Sequence, residues 1–253
     1  MWLMCRHLGY VGPVRALGEV LIRPEFSLVR QSWAPRRQGH GTVNADGFGV
    51  GWYAAGDPHP ARYRRTGPVW ADGSFPDLCR VVRSAGILAA VRDATEGCAG
   101  GEAAIAPFGA GNWLFSHNGA IAGWPASVAH VAARTLTPGE LLDIEAHSDA
   151  ALAWALVLHH LRADAAAATA LARVAAALSG AAPGSRLNFL LTDGHTLAGT
   201  AVGESLWYLP RPHASLTVAS EPYDTDPEWR QVPDGHVLTG DATRVELALL
   251  EDL

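Results

Sequence analysis

In the stretch Gly47-Phe48-Gly49-Val50-Gly51-Trp52, glycine occupies every second position. Successive residues of a strand point to opposite faces. One face of this strand is therefore bare backbone, and the other carries Phe48, Val50 and Trp52. A bare face admits another backbone, or a ligand, at close range. A phosphate-binding loop also uses glycines, but it needs a following GK[ST] and a helix opening after it, and neither occurs here. The extended stretch covers residues 44–53, with residues 61–66 as its hairpin partner across a loop containing Gly56-Asp57-Pro58.

Further strands are expected around this one. Residues 7–11 read as a first strand ended by Gly12-Pro13, and residues 14–22 have helical spacing with Leu17, Val20 and Leu21 on one face. Residues 32–41 are a polar loop. Residues 87–91 form a short apolar run that delivers Arg92-Asp93-Ala94-Thr95-Glu96-Gly97 at its end. Residues 98–111, rich in Gly and Ala, read as a loop. Residues 113–117 are a strand running into Asn118-Gly119, a pair that by itself suits a tight hairpin turn.

Residues 127–134, 138–144 and 150–161 read as helices, with Ser148 a candidate cap for the last. A second Ala-rich helix runs to Leu178 and is broken by Gly180. Then the period changes, and residues 187–191, 196–202, 206–209, 216–219 and 236–239 are short strands separated by Gly, Pro and Asp turns. Strands, then helices, then strands, without repeat or long linker, suit two antiparallel sheets packed together and covered by helices in one domain.

Composition narrows the function classes. Of 253 residues, 49% are hydrophobic and 17% charged, so a sizeable core forms and global disorder is excluded. The net charge of −6, without a basic block, gives no footprint for nucleic acid. All 19 basic residues are Arg, which removes lysine as a nucleophile or Schiff base. Cys5, Cys79 and Cys98 are odd in number with no CxxC spacing, so neither a disulfide framework nor a zinc site is expected. No HExxH occurs, His159 and His160 fall on different helix faces, and no metal or cofactor is implied. No apolar run reaches the ~18 residues of a membrane span. The expectation is a soluble cytoplasmic protein.

One residue carries distinctive chemistry. Cys5 directly follows Met4, and an initiator Met is removed when the next residue is small. A chain begun at Met4 would mature to an N-terminal Cys5 bearing a thiol and a free α-amine. Free Cys titrates near about 8.5 and an α-amine near about 7.7–8.0. Such a residue contains its own nucleophile and its own base. Met1-Trp2-Leu3 stand before Met4, so this requires a start at Met4 or cleavage of a short propeptide, and residues 1–4 are expected to be absent from the mature protein.

The motifs MCRHLGY, NADGFGVGWY, VRDATEG, SHNGAI and HSD resemble those of the class II glutamine amidotransferases, within the N-terminal-nucleophile hydrolase superfamily. With QSWAPR and ASEPYDTDPEWRQVP added, the resemblance is closer to the ergothioneine-pathway amidohydrolases, which remove glutamate from γ-glutamyl-hercynylcysteine sulfoxide. It runs nearly end to end. It implies an α+β fold of four layers, αββα, with two packed antiparallel sheets.

It also implies roles. Cys5 attacks the γ-carbonyl and forms a thioester, with its α-amine as base. The Asn118 side-chain amide and the Gly119 backbone N–H form the oxyanion hole, where each donor is worth about 2.7–4 kcal/mol in other enzymes. Arg92 and Thr95 hold the substrate α-carboxylate, Asp149 holds its α-ammonium, and Asp46 to Gly49 support the nucleophile. From the residues themselves, His117 reads as a strand-end residue supporting Asn118, Cys79 and Cys98 read as structural, and Trp33, in a loop, is a candidate for the trimethylammonium of the leaving half.

Because the resemblance consumes the whole chain, a stand-alone hydrolase of a linear amide is the leading reading. It needs a small γ-glutamyl substrate but no protein partner, nucleic acid or membrane. The alternative is a glutaminase subunit that passes ammonia to a separate synthetase. A catalytically silent interaction protein is a third reading, opposed by the intact Cys5, Arg92, Asn118 and Asp149.

Overall fold

A computed structural model describes residues 5–37, 43–94 and 97–253. Its first part comprises β1 (Arg6–Ala16), α1 (Leu17–Leu21), α2 (Leu28–Gln31), β2 (Gly47–Trp52), β3 (Ala61–Arg65), α3 (Phe75–Val81) and β4 (Arg83–Arg92). The middle holds β5 (Phe108–Ala110), β6 (Trp113–Ala120), α4 (Ala129–Thr135), α5 (Pro138–Leu142), α6 (Asp149–Arg162) and α7 (Ala167–Ala181). The last part returns to strands: β7 (Arg186–Thr192), β8 (Leu197–Ala201), β9 (Trp207–Arg211), β10 (Ser215–Ala219), β11 (Arg230–Gln231), β12 (His236–Gly240) and β13 (Val245–Leu249).

Among the described residues these strands form two antiparallel sheets. One has the order β11-β9-β10-β1-β4-β2-β3, the other β13-β12-β8-β7-β6-β5. Strand alternation gives each sheet two apolar faces, so three cores are stacked. Leu8, Tyr10, Phe48 and Ile87 face α1 and α3 through Leu17 and Phe75. Val11, Leu88, Leu114, Leu190 and Leu197 fill the space between the sheets. Phe115 and Phe189 meet Leu152 and Trp154 of α6 and Leu171 and Leu178 of α7. The layers run helix, sheet, sheet, helix. Each buried Leu or Phe contributes about 1.5–3 kcal/mol, which makes these cores the dominant favourable term.

The bare face of β2 lies against the second sheet. A Cβ on Gly49 would stand 2.3 Å from the Ala106 carbonyl oxygen, and one on Gly51 would stand 2.6 Å from Leu114 Cδ1. The close approach read from the alternating glycines is thus made by a backbone and a leucine.

Several features differ from what the sequence alone predicts. β1 does not end at Gly12-Pro13 but continues to Ala16, so α1 begins only at Leu17. Its register with β4 jumps between Val11 and Arg15, and this interruption accommodates a proline that has no N–H to give the ladder. Asn118-Gly119 is not a turn: β6 carries both, with Asn118 opposite Asn188 and Gly119 opposite Leu187. Gly180 lies inside the last turn of α7 and does not break it. The 98–111 segment contains the short strand β5, and β13 adds an edge strand with partly exposed side chains, too weak in alternation to be recognised. Among the described residues no helix is long and apolar enough to cross a membrane.

Candidate active site

Cys5 immediately precedes β1, the strand between β10 and β4. The antiparallel register pairs Arg6 with Val91 and Gly47 with Arg92, which brings the start of β1 and the end of β4 to the same sheet end. The end of β6 and the first turn of α6 arrive from the other half of the sandwich. Together they line a cleft of about 460 Å³, open mouth included, with Cys5, Arg92, Asp93, His117, Gly119 and Asp149 around it. Ile105 and Phe108 supply apolar wall.

Cys5 keeps part of its surface open, and its Sγ donates to the Asp93 carbonyl at 3.7 Å. The sulfur is nevertheless densely surrounded. This desolvation pushes the thiol up to about 11, with Arg92 pulling the other way and Asp149 adding to the rise. Such a thiol stays protonated at neutral pH and needs a base beside it. Asp46 fixes the segment that Cys5 touches: its N–H donates to the Arg92 carbonyl at 3.0 Å, and its Oδ2 accepts from Ala94 N at 2.7 Å.

Arg92 is buried, and its Nη2 donates to the Ala99 carbonyl at 3.0 Å. Ser148 caps α6 by accepting from Ala151 N at 3.2 Å, which leaves the neighbouring Asp149 free for other partners. Asp149 Oδ1 accepts from Ala150 N at 2.8 Å and from the Cys98 thiol at 3.5 Å, while Oδ2 accepts from Ile121 N at 3.2 Å. A carboxylate in the first turn of a helix is stabilised by the helix dipole. It also retains lone-pair capacity for a cation.

A Cβ on Gly119 would lie 2.0 Å from the Arg186 carbonyl oxygen, so only glycine fits there. His117 also lines the cleft, and its Nε2 donates to that same carbonyl at 2.9 Å. Burial lowers the pKa of this imidazole, so it stands neutral as a prop between β6 and β7.

The structure therefore brings Cys5, Arg92, Gly119 and Asp149 to one cleft. Asn118 lies between two lining residues but is itself wholly buried, with its Nδ2 donating to Ser220 Oγ at 3.1 Å. Thr95 lies outside the described residues. Trp33 does not line the cleft; it is exposed and meets Trp70 edge-on at 5.7 Å. Among the described residues no group of three or more His, Cys, Asp or Glu could hold a metal ion.

Three residues near the site carry no signal of it in the sequence, among them Cys98, which reads there as structural. Cys98 touches Asp149, and nothing in its spacing signals this. Ser220 and Glu221 stand inside the ASEPYDTDPEWRQVP motif, where no spacing or periodicity signals a role for either side chain. Glu221 accepts from Arg36 N at 3.1 Å and Arg37 N at 2.7 Å, so this motif and the end of QSWAPR meet in space.

Known proteins resemble this chain in sequence and in fold. The model of the class II glutamine amidotransferases matches residues 17–234. The γ-glutamyl-hercynylcysteine sulfoxide hydrolase of Mycolicibacterium smegmatis is 37% identical over 235 residues, 93% of this chain and 95% of the relative. That of Mycobacterium tuberculosis strain H37Rv is 37% identical over 248 residues, 98% of this chain and 97% of the relative. Among solved structures, a glutamine aminotransferase class-II domain protein from Silicibacter pomeroyi superposes with a TM-score of 0.70 at 25% identity, covering 97% of this chain and 99% of that one. The glutamine phosphoribosylpyrophosphate amidotransferase of B. subtilis shares the fold, with a TM-score of 0.64 at 15% identity over 97% of this chain and 49% of that one. The fold is the two-sheet α+β arrangement of the N-terminal-nucleophile hydrolases, and this chain belongs to the class II glutamine amidotransferase family.

Proposed function

We propose that this chain hydrolyses the γ-glutamyl amide bond of γ-glutamyl-hercynylcysteine sulfoxide, releasing glutamate and hercynylcysteine sulfoxide in ergothioneine biosynthesis. The observation that carries this is the 37% identity, over nearly the whole of both chains, to hydrolases of that name. The cleft supports it, because an arginine and a carboxylate line it together with a cysteine.

In this reading residues 1–4 are absent from the mature protein, and the whole remaining chain is one catalytic domain. The Cys5 α-amine takes the thiol proton as the sulfur attacks the γ-carbonyl. Asn118 Nδ2 and Gly119 N–H receive the oxyanion. Collapse breaks the amide bond, and the leaving nitrogen takes the proton back from the ammonium. Water then attacks the thioester with the α-amine again as base, giving glutamate and free Cys5. Arg92, with Thr95, binds the α-carboxylate through its planar fork, and Asp149 binds the α-ammonium. The reaction needs no protein partner or cofactor. We place it in the cytoplasm, where thiols stay reduced, in keeping with three free cysteines.

The test is glutamate release from the sulfoxide and from glutamine, side by side, by protein expressed from Met4. Fast release from the sulfoxide, slow release from glutamine and none by Cys5→Ala is the expected result. Preference for glutamine would overturn it in favour of an ammonia-donating subunit.

A further inference from the structure

The nucleophile and its oxyanion donor come from different sheets. Cys5 precedes β1 in one sheet, and Asn118 belongs to β6 in the other. Both must stand about 3 Å from one substrate carbonyl group, and a displacement of 1 Å is enough to lose much of the rate. No covalent link holds that spacing, so a non-covalent tie across the sandwich has to set it.

Ser220 provides one. It follows β10, is wholly buried, and is joined to His7, two residues beyond the nucleophile. Its N–H donates to the His7 carbonyl at 3.0 Å, its Oγ accepts from His7 N at 3.0 Å, and its hydroxyl proton points to the His7 carbonyl at 3.4 Å. The remaining lone pair of Oγ accepts from Asn118 Nδ2 at 3.1 Å. A second tie joins β1 directly to β6, where His7 Nδ1 meets Ser116 Oγ, two residues before Asn118, at 3.2 Å.

The direction of the Ser220 bond matters. A hydroxyl has one proton. With that proton turned toward the His7 carbonyl, Ser220 presents a lone pair to Asn118, and so favours the amide nitrogen over the amide oxygen. Asn118 Oδ1 has no partner among the described residues, so the Ser220 bond is what fixes the rotation of this amide. The nitrogen carries two hydrogens; one goes to Ser220 and the second is left for substrate. A flipped amide would turn a lone pair toward a developing negative charge.

We infer that Ser220 is a positioning residue, whose hydroxyl orients the Asn118 amide and locks it to the nucleophile strand. This rests on the reading of Asn118 as an oxyanion donor. The expectation is that Ser220→Ala lowers kcat for glutamate release about ten- to a hundredfold with KM within threefold, a fraction of the 10²–10³ lost when such a donor is removed outright.

The decisive experiment is a double-mutant cycle on the full chain with Ser220→Ala, Asn118→Ala and the pair, with kcat, KM and melting temperature measured for each. In the Asn118→Ala background, Ser220→Ala should cost less than threefold. Equal losses in both backgrounds would assign Ser220 a merely structural role, and a kcat within threefold of wild type in the single variant would also overturn the inference. If Ser220→Ala does not fold, Ser220→Cys, nearly isosteric but a weak acceptor, is put through the same cycle with the same criteria. The cycle runs on whichever γ-glutamyl amide the wild type prefers, because the oxyanion forms on the same carbonyl. Wild type inactive on both amides defeats the functional reading, whereas active wild type without coupling defeats this inference alone.

Discussion

The Arg6 guanidinium and the Glu221 carboxylate stand 3.8 Å apart with both side chains wholly buried. Arg6 follows Cys5 directly, and Glu221 also takes the backbone N–H groups of Arg36 and Arg37. A buried pair adds little over an apolar pair, but removing one partner leaves the other charge less compensated and costs up to about 3–5 kcal/mol. Glu221→Ala is expected to destabilise the fold by that amount in urea unfolding. A loss below about 1 kcal/mol would show that Arg6 does not depend on this carboxylate.

Gly119→Ala places a methyl 2.0 Å from the Arg186 carbonyl oxygen, inside the β6–β7 ladder. Backbone cannot yield as a flexible side chain does, so the strand end must shift. Activity should fall at least a hundredfold, while Gly180→Ala, which meets open space, leaves activity intact and raises the melting temperature slightly. Glutamate release and thermal melts of the two variants check this.

Burial holds His7 well below its ordinary pKa of 6.5 and lowers His117 in the same direction. Both bind protons more readily in the unfolded chain. Their contribution to stability is therefore complete above about pH 6.5 and is lost as the pH falls below it toward the folded-state values. The melting temperature should drop on acidification through this window. Chemical denaturation of wild type and His7→Gln across pH 5–8 should show a shallower pH slope in the variant; identical slopes would remove His7 from the account.

With its thiol pushed up to about 11, Cys5 should react with iodoacetamide only slowly at neutral pH when its nitrogen is acylated. A form retaining residues 1–4 should gain about tenfold in alkylation rate per pH unit between pH 7 and 10, following its thiolate fraction. Protein beginning at Cys5 should react faster at pH 7 and titrate with its α-amine. Intact mass of fully active native protein should show residues 1–4 missing; their retention would remove the α-amine base from the mechanism.

Asp149→Asn keeps the size and the cap at Ser148, gives up one of the two backbone N–H bonds, and removes the charge proposed for the substrate ammonium. A charge-assisted hydrogen bond is worth about 1.5–3 kcal/mol. KM should rise about ten- to a hundredfold, with a smaller change in kcat. Steady-state kinetics decide this, and an unchanged KM would place the ammonium elsewhere.

What the sequence determined by itself was local or carried by motif. Alternation of glycine with Phe48, Val50 and Trp52 defined a strand with a bare face, and Ser148 before an apolar helical run defined a cap with Asp149 beside it. Cys5, Arg92, Asn118, Gly119 and Asp149 were nameable because each lies in a short motif, with Asn118 and Gly119 sharing one. Tertiary structure decided what those motifs meet. Asn-Gly at 118–119 continues a strand because β7 supplies its ladder partners, and propensity for a turn loses to that pairing. β1 passes through Pro13 because its register with β4 breaks there. Cys98 reaches Asp149 across 51 positions, and Ser220 reaches His7 across 213. Hydrogen bonds between residues so far apart in sequence leave no periodic trace, since they depend on how two sheets stack and not on how either strand forms.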